Sequence, residues 1–346
     1  MRLPVPDGVV KTERHTTFYL DAGAADAPLI VFVHGWPELS LSWRHQLPCF
    51  ADLGFRAVAP DMRGYGRSSV YTRHEDYALE HAVRDMIELL DALGREKAVW
   101  VGHDWGSPVV WSLASHHPER CWGVANLCVP YLKAGFGPRN LIPLVDRTVY
   151  PEAQYPAGQW DYMLFYEESF EKACAAFDAD PRNLVKALFR KGNPGGKGKP
   201  SRTAQTRKDG GWFGGAGRAP DVPPDVPMDA DVVTAEELDT YAAGLARNGF
   251  FGPDSWYMNA DRNLEYALRA KDGGTLRLPV LFLHGEYDYT CETVASRLAE
   301  PMRRDCPNLT EVIVPSGHWM AQEKPMVVNA ALAKWLAIQL PEIWPV

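Results

Sequence analysis

Short apolar runs alternate along the chain with segments in which apolar residues recur at helical spacing. The short runs are rich in Val, Leu, Ile and Phe, as buried parallel strands are, and they lie within 29–35, 55–66, 98–107, 124–129, 279–286 and 309–319. Amphipathic helices are indicated at 77–94 and 327–340. This alternation predicts an α/β fold with a mostly parallel central sheet flanked by helices.

The alternation stops between Pro130 and Pro279. This part of the chain carries helical patterns at 160–189 and 235–247, and a Thr234–Glu237 capping box precedes the second of them. A helical insertion between two strands of a sheet is typical of a cap that covers the carboxyl-terminal edge of the strands.

We therefore predict a core of residues 1–133 and 272–346 with an inserted helical cap at 134–271, which we call the cap segment. Within the cap segment, a Gly/Pro-rich stretch occupies about 191–227. Its composition favours a solvated surface loop. Its basic residues leave a phosphate- or nucleic-acid-binding loop as the alternative.

Composition narrows the function classes. The chain has 346 residues, 46% of them apolar, and a formal net charge of −8. Such an acidic chain argues against nucleic acid as the main partner, because phosphate binding needs a basic face. No apolar stretch approaches the roughly 18 residues of a membrane span, and the first residues lack the apolar core of a secretory signal. We expect a cytoplasmic protein that binds no membrane, with its six cysteines as reduced thiols.

The sequence Gly102-His103-Asp104-Trp105-Gly106 follows a predicted strand and precedes a helical pattern. Small residues two positions before and after the centre are what a tight strand-to-helix elbow requires, and such an elbow exposes its central side chain. The centre of such an elbow is usually a serine, and here it is an aspartate. Taken alone, this aspartate could also be a simple helix N-cap.

A carboxylate at the tip of an elbow points to a particular reaction. A serine alkoxide that attacked a saturated carbon would leave an ether, which the site could not hydrolyse. A carboxylate leaves an ester instead, and water can cleave that ester at its carbonyl. We therefore predict Asp104 as a nucleophile that attacks an sp³ carbon with a leaving group, in an alkyl halide or an epoxide.

Two later loops offer a general base and an acid to orient it. His318 follows the last predicted strand, and Asp288 follows the strand before it. Asp288 can orient His318 and stabilise its charged form. Glu286 is the rival acid, but it lies closer to the end of its strand. The chain order of nucleophile, acid and histidine agrees with a hydrolase built on an elbow.

The motif HGWP follows the predicted strand at 29–33. Its turn, with an expected cis Trp36–Pro37 bond, would aim the backbone N–H of Trp36 at the site beside that of Trp105. We predict these two donors as an oxyanion hole for the ester-hydrolysis step. Packing roles are expected for the neighbouring histidines His34, His103 and His284.

The segments HGWPELSLSWRHQ, DMRGYGRSS, GHDWG and SGHWMAQEKP resemble the soluble epoxide hydrolases of the α/β-hydrolase superfamily, nearly from end to end. The resemblance implies an α/β-hydrolase fold and two cap tyrosines that hold the epoxide oxygen. WDYMLFYEE resembles the first cap motif and GFFGPDSWYMNADRN the second, which implies Tyr162 and Tyr257. Tyr166, one helical turn from Tyr162, is the alternative for the first. A phenol can donate to the developing alkoxide and stay neutral at pH 7.

A haloalkane dehalogenase would use the same aspartate and is the alternative function. A halide needs no proton and favours weak N–H donors such as indoles, which Trp105 could supply. Fluoroacetate dehalogenases resemble G-H-D-R-G, whereas this chain has tryptophan after the aspartate, which disfavours an anionic substrate. We expect a monomer or homodimer in which water hydrolyses a small apolar or aromatic epoxide to a vicinal diol, without cofactor or metal.

Overall fold

The computed structural model describes residues 5–215 and 221–345. Eight strands form one sheet: β1 (Asp7–Lys11), β2 (Thr16–Ala22), β3 (Leu29–Val33), β4 (Arg56–Pro60), β5 (Ala98–His103), β6 (Cys121–Leu127), β7 (Val280–Gly285) and β8 (Leu309–Val314). Their order in the sheet is β1-β2-β4-β3-β5-β6-β7-β8. The pairs between β4 and β8 are parallel, so the predicted mostly parallel sheet is confirmed.

The first two strands form a hairpin that the apolar pattern did not predict. β1 pairs antiparallel with β2, and β2 pairs antiparallel with β4. Every residue of β1 is at least partly exposed, and β2 buries only Thr17 and Phe18. Strands at the edge of a sheet bury little, and therefore they lack the apolar run by which a central strand is recognised.

Six helices of the described residues belong to the parts of the chain before and after the cap segment. They are α1 (Gln46–Asp52), α2 (Leu79–Ala92) and α3 (Gly106–His116) before it, and α11 (Glu300–Asp305), α12 (Met320–Glu323) and α13 (Pro325–Gln339) after it. Among them, α1, α3 and α13 contact strands of the sheet. The cap segment holds α4 (Pro138–Leu141), α5 (Asp161–Ala179), α6 (Pro181–Leu188), α7 (Thr206–Asp209), α8 (Ala235–Asn248), α9 (Phe251–Ser255) and α10 (Ala260–Ala267). Short 3-10 helices span Ser40–Trp43, His74–Tyr77, Pro118–Arg120, Ile142–Leu144, Gly158–Trp160, Pro194–Gly196, Arg202–Gln205, Trp256–Met258, Lys271–Gly274 and Pro341–Ile343.

The core lies around the central strands. β3, β4, β5 and β7 are buried along their whole length, and α2 turns Val83, Met86 and Leu90 inward at helical spacing. Full burial of an apolar side chain of this size stabilises a fold by about 1.5–3 kcal/mol. The central strands are parallel, so the loops after β3, β5, β7 and β8 meet at one rigid edge.

The cap segment is helical, as predicted, with one difference in its helices. The Thr234–Glu237 capping box is present at the start of α8. The helical pattern at 160–189 forms two helices, α5 and α6, separated at Asp180. Pro181 begins the second helix because its missing N–H is not needed in a first turn.

The interpretation of 191–227 as a solvated loop is wrong for residues 201–213. Thr203, Thr206 and Phe213 are buried, because this part of the stretch folds against α5 and the site described below. Residues 216–220 of the stretch lie outside the described residues. The glycines and prolines dominate the composition of the stretch, so its composition did not reveal that Thr203, Thr206 and Phe213 would be buried.

Two sequence expectations concern the whole chain. Within the described ranges, none of the helices is both long enough and apolar enough to span a bilayer. All six cysteines are free thiols, as expected, and all except the half-buried Cys49 are buried.

Candidate active site

The predicted elbow joins β5 to α3. Asp104 lies at its tip with a positive φ of 48°, which few residues other than glycine adopt without strain. A Cβ atom at Gly106 would overlap the carbonyl oxygen of Val33, and a Cβ atom at Gly35 would overlap the Asp104 carboxylate. Close approach of the backbone therefore explains the small residues of the motif.

The loops after β7 and β8 bring an acid and a histidine to Asp104. The Nδ1 atom of His318 lies 2.7 Å from Oδ2 of Asp288, and its Nε2 atom lies 3.3 Å from Oδ2 of Asp104. The other oxygen of Asp288 accepts a hydrogen bond from the backbone N–H of Cys291. Glu286 instead lines a separate cavity, so Asp288 is the acid that contacts His318.

Neighbouring charges determine the protonation states of His318 and Asp288. Burial lowers the pKa of His318, but the carboxylates of Asp288 and Asp104 raise it more, and it lies well above the ordinary value. Burial raises the pKa of Asp288, but the His318 charge lowers it below its ordinary value. Both interactions favour an imidazolium between two carboxylates in the resting protein.

The backbone N–H of Trp36 donates a hydrogen bond of 2.7 Å to Oδ1 of Asp104. The Trp36–Pro37 peptide bond is cis, as expected from the sequence. Trp105 directly follows Asp104 on the elbow, and its amide stays the predicted second donor. The two Asp104 oxygens thus have different surroundings, since Oδ1 accepts from Trp36 and Oδ2 faces His318.

A cavity of about 150 Å³ opens above this group, and it is lined by Asp104, His318, Trp36, Tyr162 and Tyr257 among others. The two tyrosine rings are 5.8 Å apart between centroids. Among the described residues, neither phenol has a hydrogen-bond partner, so both are free for a ligand.

The chemistry of the two phenols suits donation. Burial, and after it nearby groups that include Asp104, raise the pKa of Tyr162 and of Tyr257 well above the ordinary phenol value, which favours the neutral form. Tyr166, the alternative to Tyr162, stacks on Tyr257 at 4.2 Å. It is not among the residues that line the cavity, so the geometry favours Tyr162 over Tyr166.

Glu38 and His103 form a buried ion pair that the sequence did not predict. The Nδ1 atom of His103 lies 2.8 Å from the Glu38 carboxylate, and its Nε2 atom lies 2.7 Å from the carbonyl oxygen of His318. Both partners can only accept, so both ring nitrogens carry protons. The same Glu38 carboxylate accepts the N–H of Gly35. The pair therefore ties the HGWP turn to the loop that carries His318.

The ring of His103 packs against that of Trp319, as expected, but it is also the ion-pair partner of Glu38. Burial lowers its pKa, but the Glu38 carboxylate raises the pKa of His103 to about 10. Burial opposes the charge of Glu38, and His103 lowers the pKa of Glu38 to about 2. The signal in the sequence was a charged or ionisable residue directly beside each of two motifs, at the Glu of HGWPE and the His of GHDWG.

Other cavity residues also escaped the sequence analysis. Thr203 and Trp212 come from the Gly/Pro-rich stretch, and Thr290, Cys291, Leu188 and Trp319 come from loops and a helix end. His34 and His284 have structural partners: the ring of His34 accepts the N–H of Met62, and that of His284 contacts Thr293 and Glu311. Only the residues with a motif around them could be assigned from the sequence.

Two groups in the described residues have metal-ligating atoms within 4.8 Å of one another. One holds His103, Cys128 and His318, and the other holds Asp288, Cys291 and His318. Both depend on His318, whose ring nitrogens already face the carboxylates of the elbow and of the β7 loop. Both groups therefore share their histidine with the predicted catalytic residues.

Comparison with known proteins agrees with this geometry. The sequence profile of the alpha/beta hydrolase fold matches residues 28–325. The fold and the site thus define an α/β hydrolase. Epoxide hydrolase A of Mycobacterium tuberculosis is 36% identical over 320 residues, which are 92% of each chain. Bifunctional epoxide hydrolase 2 of Sus scrofa is 32% identical over 89% of this chain, which spans only 51% of the pig protein.

Two solved structures that are similar to this chain are also structures of epoxide hydrolases. A crystal structure of epoxide hydrolase A from Mycobacterium thermoresistibile has a TM-score of 0.76 at 34% identity, and the match covers 96% of this chain and 98% of that chain. An epoxide hydrolase from an endophytic Streptomyces has a TM-score of 0.77 at 30% identity, over 96% and 95% of the two chains. The chain belongs to the epoxide hydrolase family of the α/β hydrolases.

Proposed function

We propose that the protein is an epoxide hydrolase that converts epoxides to vicinal diols through an ester on Asp104. The observation that carries the proposal is the arrangement around one cavity. A carboxylate at the elbow tip, a histidine beside it and two unpaired phenols line the same 150 Å³ space. Membership in the epoxide hydrolase family supports the same activity.

In the first step, the hydroxyl groups of Tyr162 and Tyr257 hold the epoxide oxygen. Oδ2 of Asp104 attacks a ring carbon, the carbon–oxygen bond of the ring breaks, and a phenol proton passes to the alkoxide. The nucleophile needs no activation beyond its charge, because a carboxylate is ionised at pH 7. The product of this step is a hydroxyalkyl ester, and Oδ1 becomes its carbonyl oxygen.

In the second step, His318 takes a proton from water, and the water oxygen attacks the ester carbonyl of Asp104. Negative charge develops on Oδ1, which already accepts the N–H of Trp36, with the Trp105 N–H as the second donor. The bond between Oδ2 and the substrate carbon stays intact, and the acyl bond between Oδ2 and the carbonyl carbon breaks. The leaving alkoxide takes the second proton of the attacking water, so that Asp104 is again a carboxylate. The diol leaves with the former aspartate oxygen.

Formation of the ester also switches His318 from acid to base. In the resting site, the carboxylates of Asp288 and Asp104 hold the imidazole charged. Formation of the ester removes the negative charge of Asp104 beside His318. The phenol that gave its proton to the alkoxide takes a proton from the His318 imidazolium. The pKa of His318 therefore falls when the ester forms, so that the neutral ring is available at the step that needs it.

The alternative of a haloalkane dehalogenase is less well supported. A halide site needs free indole donors. The indole N–H of Trp36 is already donated to Asp254, Trp105 is not among the residues that line the cavity, and among the cavity indoles that of Trp212 has no partner in the described residues. The two unpaired phenols match a leaving oxygen that must receive a proton. We also propose that residues 134–271 act as a cap, and that the substrate is a small apolar or aromatic epoxide.

We further propose that the protein acts as a monomer or homodimer in a reducing compartment, the cytoplasm. Six free thiols support a reducing compartment. Size-exclusion chromatography with light scattering measures the oligomeric state directly.

A single turnover in water enriched in ¹⁸O tests the mechanism. With enzyme in excess over styrene oxide, the label is expected in the Asp104 carboxylate and not in the diol, because water attacks the ester carbonyl. Mass spectrometry of the peptide that contains residue 104 measures the label. Label found only in the diol would show direct attack of water on the epoxide and overturn the proposal.

A further inference from the structure

The Gly/Pro-rich stretch contributes two side chains to the cavity, Thr203 and Trp212. The Trp212 ring is centred 5.2 Å from that of Tyr162 and 5.3 Å from that of Trp36. Its indole therefore forms the wall beside one of the two proposed hydrogen-bond donors. Neither Thr203 nor Trp212 belongs to a motif that carries the chemistry.

This wall is held in place by ion pairs to α5. The side chain of Arg207 donates a hydrogen bond of 2.7 Å to Asp161, and its backbone N–H donates another of 2.8 Å to the same carboxylate. A further contact of 2.8 Å joins Arg207 to Glu168. Asp161 directly precedes Tyr162, so the wall and the tyrosine share one support.

Ser201 supports a second side of the cavity from behind two of its threonines. Its hydroxyl lies 2.9 Å from that of Thr203 and 3.2 Å from that of Thr290, and both threonines line the active-site cavity. Its backbone N–H donates to the hydroxyl of Tyr150, which lines a neighbouring cavity of about 250 Å³. Ser201 thus connects residues that line the two cavities through hydrogen bonds.

The volume of the active-site cavity limits the size of the substrate that these walls admit. The active-site cavity measures about 150 Å³, a size at which a protein cavity accommodates a molecule such as benzene. An oxirane with one ring or a short chain matches this space. A second large group on the other ring carbon would overlap Trp212 or the hydrogen-bonded residues at Ser201.

We propose that residues 201–213 restrict the substrate to compact epoxides with one aryl or short alkyl group, and that Trp212 is the residue that determines this specificity. The proposal rests on the proposed function, since it concerns the epoxide that Asp104 attacks. It adds the number and size of the groups that the epoxide can carry and the residues that select them.

The test compares kcat/KM for styrene oxide, which has one ring, with that for trans-stilbene oxide, which has a ring on each oxirane carbon. The wild-type protein is expected to prefer styrene oxide by about 100-fold, the range over which steric fit discriminates. Trp212→Ala removes the wall and is expected to lower this preference at least about tenfold. The gain should lie in faster turnover of the larger epoxide.

Two matched variants separate size from other effects. Trp212→Phe keeps a ring in the wall and should retain most of the preference. Trp122→Ala removes an indole outside the cavity, where it contacts Lys97, and should leave the ratio unchanged. If Trp212→Ala does not give a cooperative unfolding transition, Trp212→Leu provides the same test with an expected change of about threefold.

The possible outcomes distinguish failure of this inference from failure of the proposed function on which it rests. No turnover of either epoxide by the wild-type protein would overturn the proposed function and the inference together. Turnover of styrene oxide with an unchanged ratio in folded Trp212→Ala, or equal rates for both epoxides in the wild type, would overturn the inference and leave the function standing. A preference for styrene oxide that falls in Trp212→Ala but is largely kept in Trp212→Phe and Trp122→Ala supports the inference.

Discussion

The indole Nε1 of Trp36 donates a hydrogen bond of 2.9 Å to Oδ1 of Asp254, a carboxyl of the cap segment with no exposed surface. Burial raises the pKa of Asp254 well above its ordinary value and favours the neutral acid. The backbone N–H of the same Trp36 faces Asp104. The contact therefore links the cap segment to the predicted oxyanion hole.

Asp254→Leu is expected to slow hydrolysis of the ester by about tenfold, a part of the effect of losing a whole oxyanion donor. It leaves the indole N–H buried without an acceptor, which costs about 1–3 kcal/mol and displaces Trp36. Asp254→Asn keeps the acceptor and is the matched control. The measurement is the fraction of enzyme present as ester at steady state, by intact mass. Equal slowing of both steps in Asp254→Leu would speak against this role.

His318→Gln is expected to trap the ester. Attack by Asp104 does not need a base, whereas hydrolysis does, so turnover should fall by about 10²- to 10⁴-fold. Intact-mass spectrometry after mixing with styrene oxide should show an adduct of one substrate per chain. His116→Gln, at the end of α3 and stacked on Tyr266, should turn over normally without an adduct. An unmodified His318→Gln chain would contradict the two-step mechanism.

Tyr162→Phe and Tyr257→Phe are each expected to slow formation of the ester by about 10²-fold, because each removes a donor to the oxirane oxygen. The rate of ester hydrolysis should change less, since the phenols do not contact the carbonyl. Stopped-flow tryptophan fluorescence under single-turnover conditions separates the two rates. Tyr166→Phe removes a buried hydroxyl that has no partner among the described residues, and it should have little effect. An effect of Tyr166→Phe as large as that of Tyr162→Phe would reassign the first donor.

The Glu38–His103 pair gives stability a defined pH dependence. Its histidine has a pKa raised from 6.5 to about 10, so its contribution is complete below pH 6.5 and is lost as the pH rises towards 10. Its glutamate has a pKa lowered from 4.5 to about 2, so its contribution is complete above pH 4.5 and is lost as the pH falls towards 2. The full contribution of the pair is therefore expected between pH 4.5 and 6.5.

Urea unfolding of the wild type and of the double variant Glu38→Gln/His103→Gln measures this dependence. The free energy of unfolding of the wild type, relative to the double variant, should be most positive in that window and should fall on both sides. The single variant Glu38→Gln leaves a buried charge unpaired and should cost about 3–5 kcal/mol at pH 6. A difference that does not vary with pH would show that the pair is not ionised.

Much of the candidate active site could be predicted from the sequence. The elbow around Asp104 and the turn at Trp36 each follow a fully buried apolar strand, and the loop that carries His318 follows the partly exposed strand β8. Each depends on residues only a few positions apart. A short-range motif of this kind can be recognised in the sequence, because a strained turn or a close approach of the backbone admits few residue types. The parallel sheet and the helical cap segment were predictable for the same reason.

The tertiary structure alone decided the rest. Glu38 meets His103, Asp254 meets Trp36, and Trp212 reaches the cavity from a stretch whose composition predicted a solvated loop. Each contact joins residues far apart in the chain. Each depends on the burial of both residues, which exists only in the folded chain. The charge on His103 and the size of the cavity follow from those contacts, because the low dielectric and the close-packed walls of the interior are properties of the folded chain.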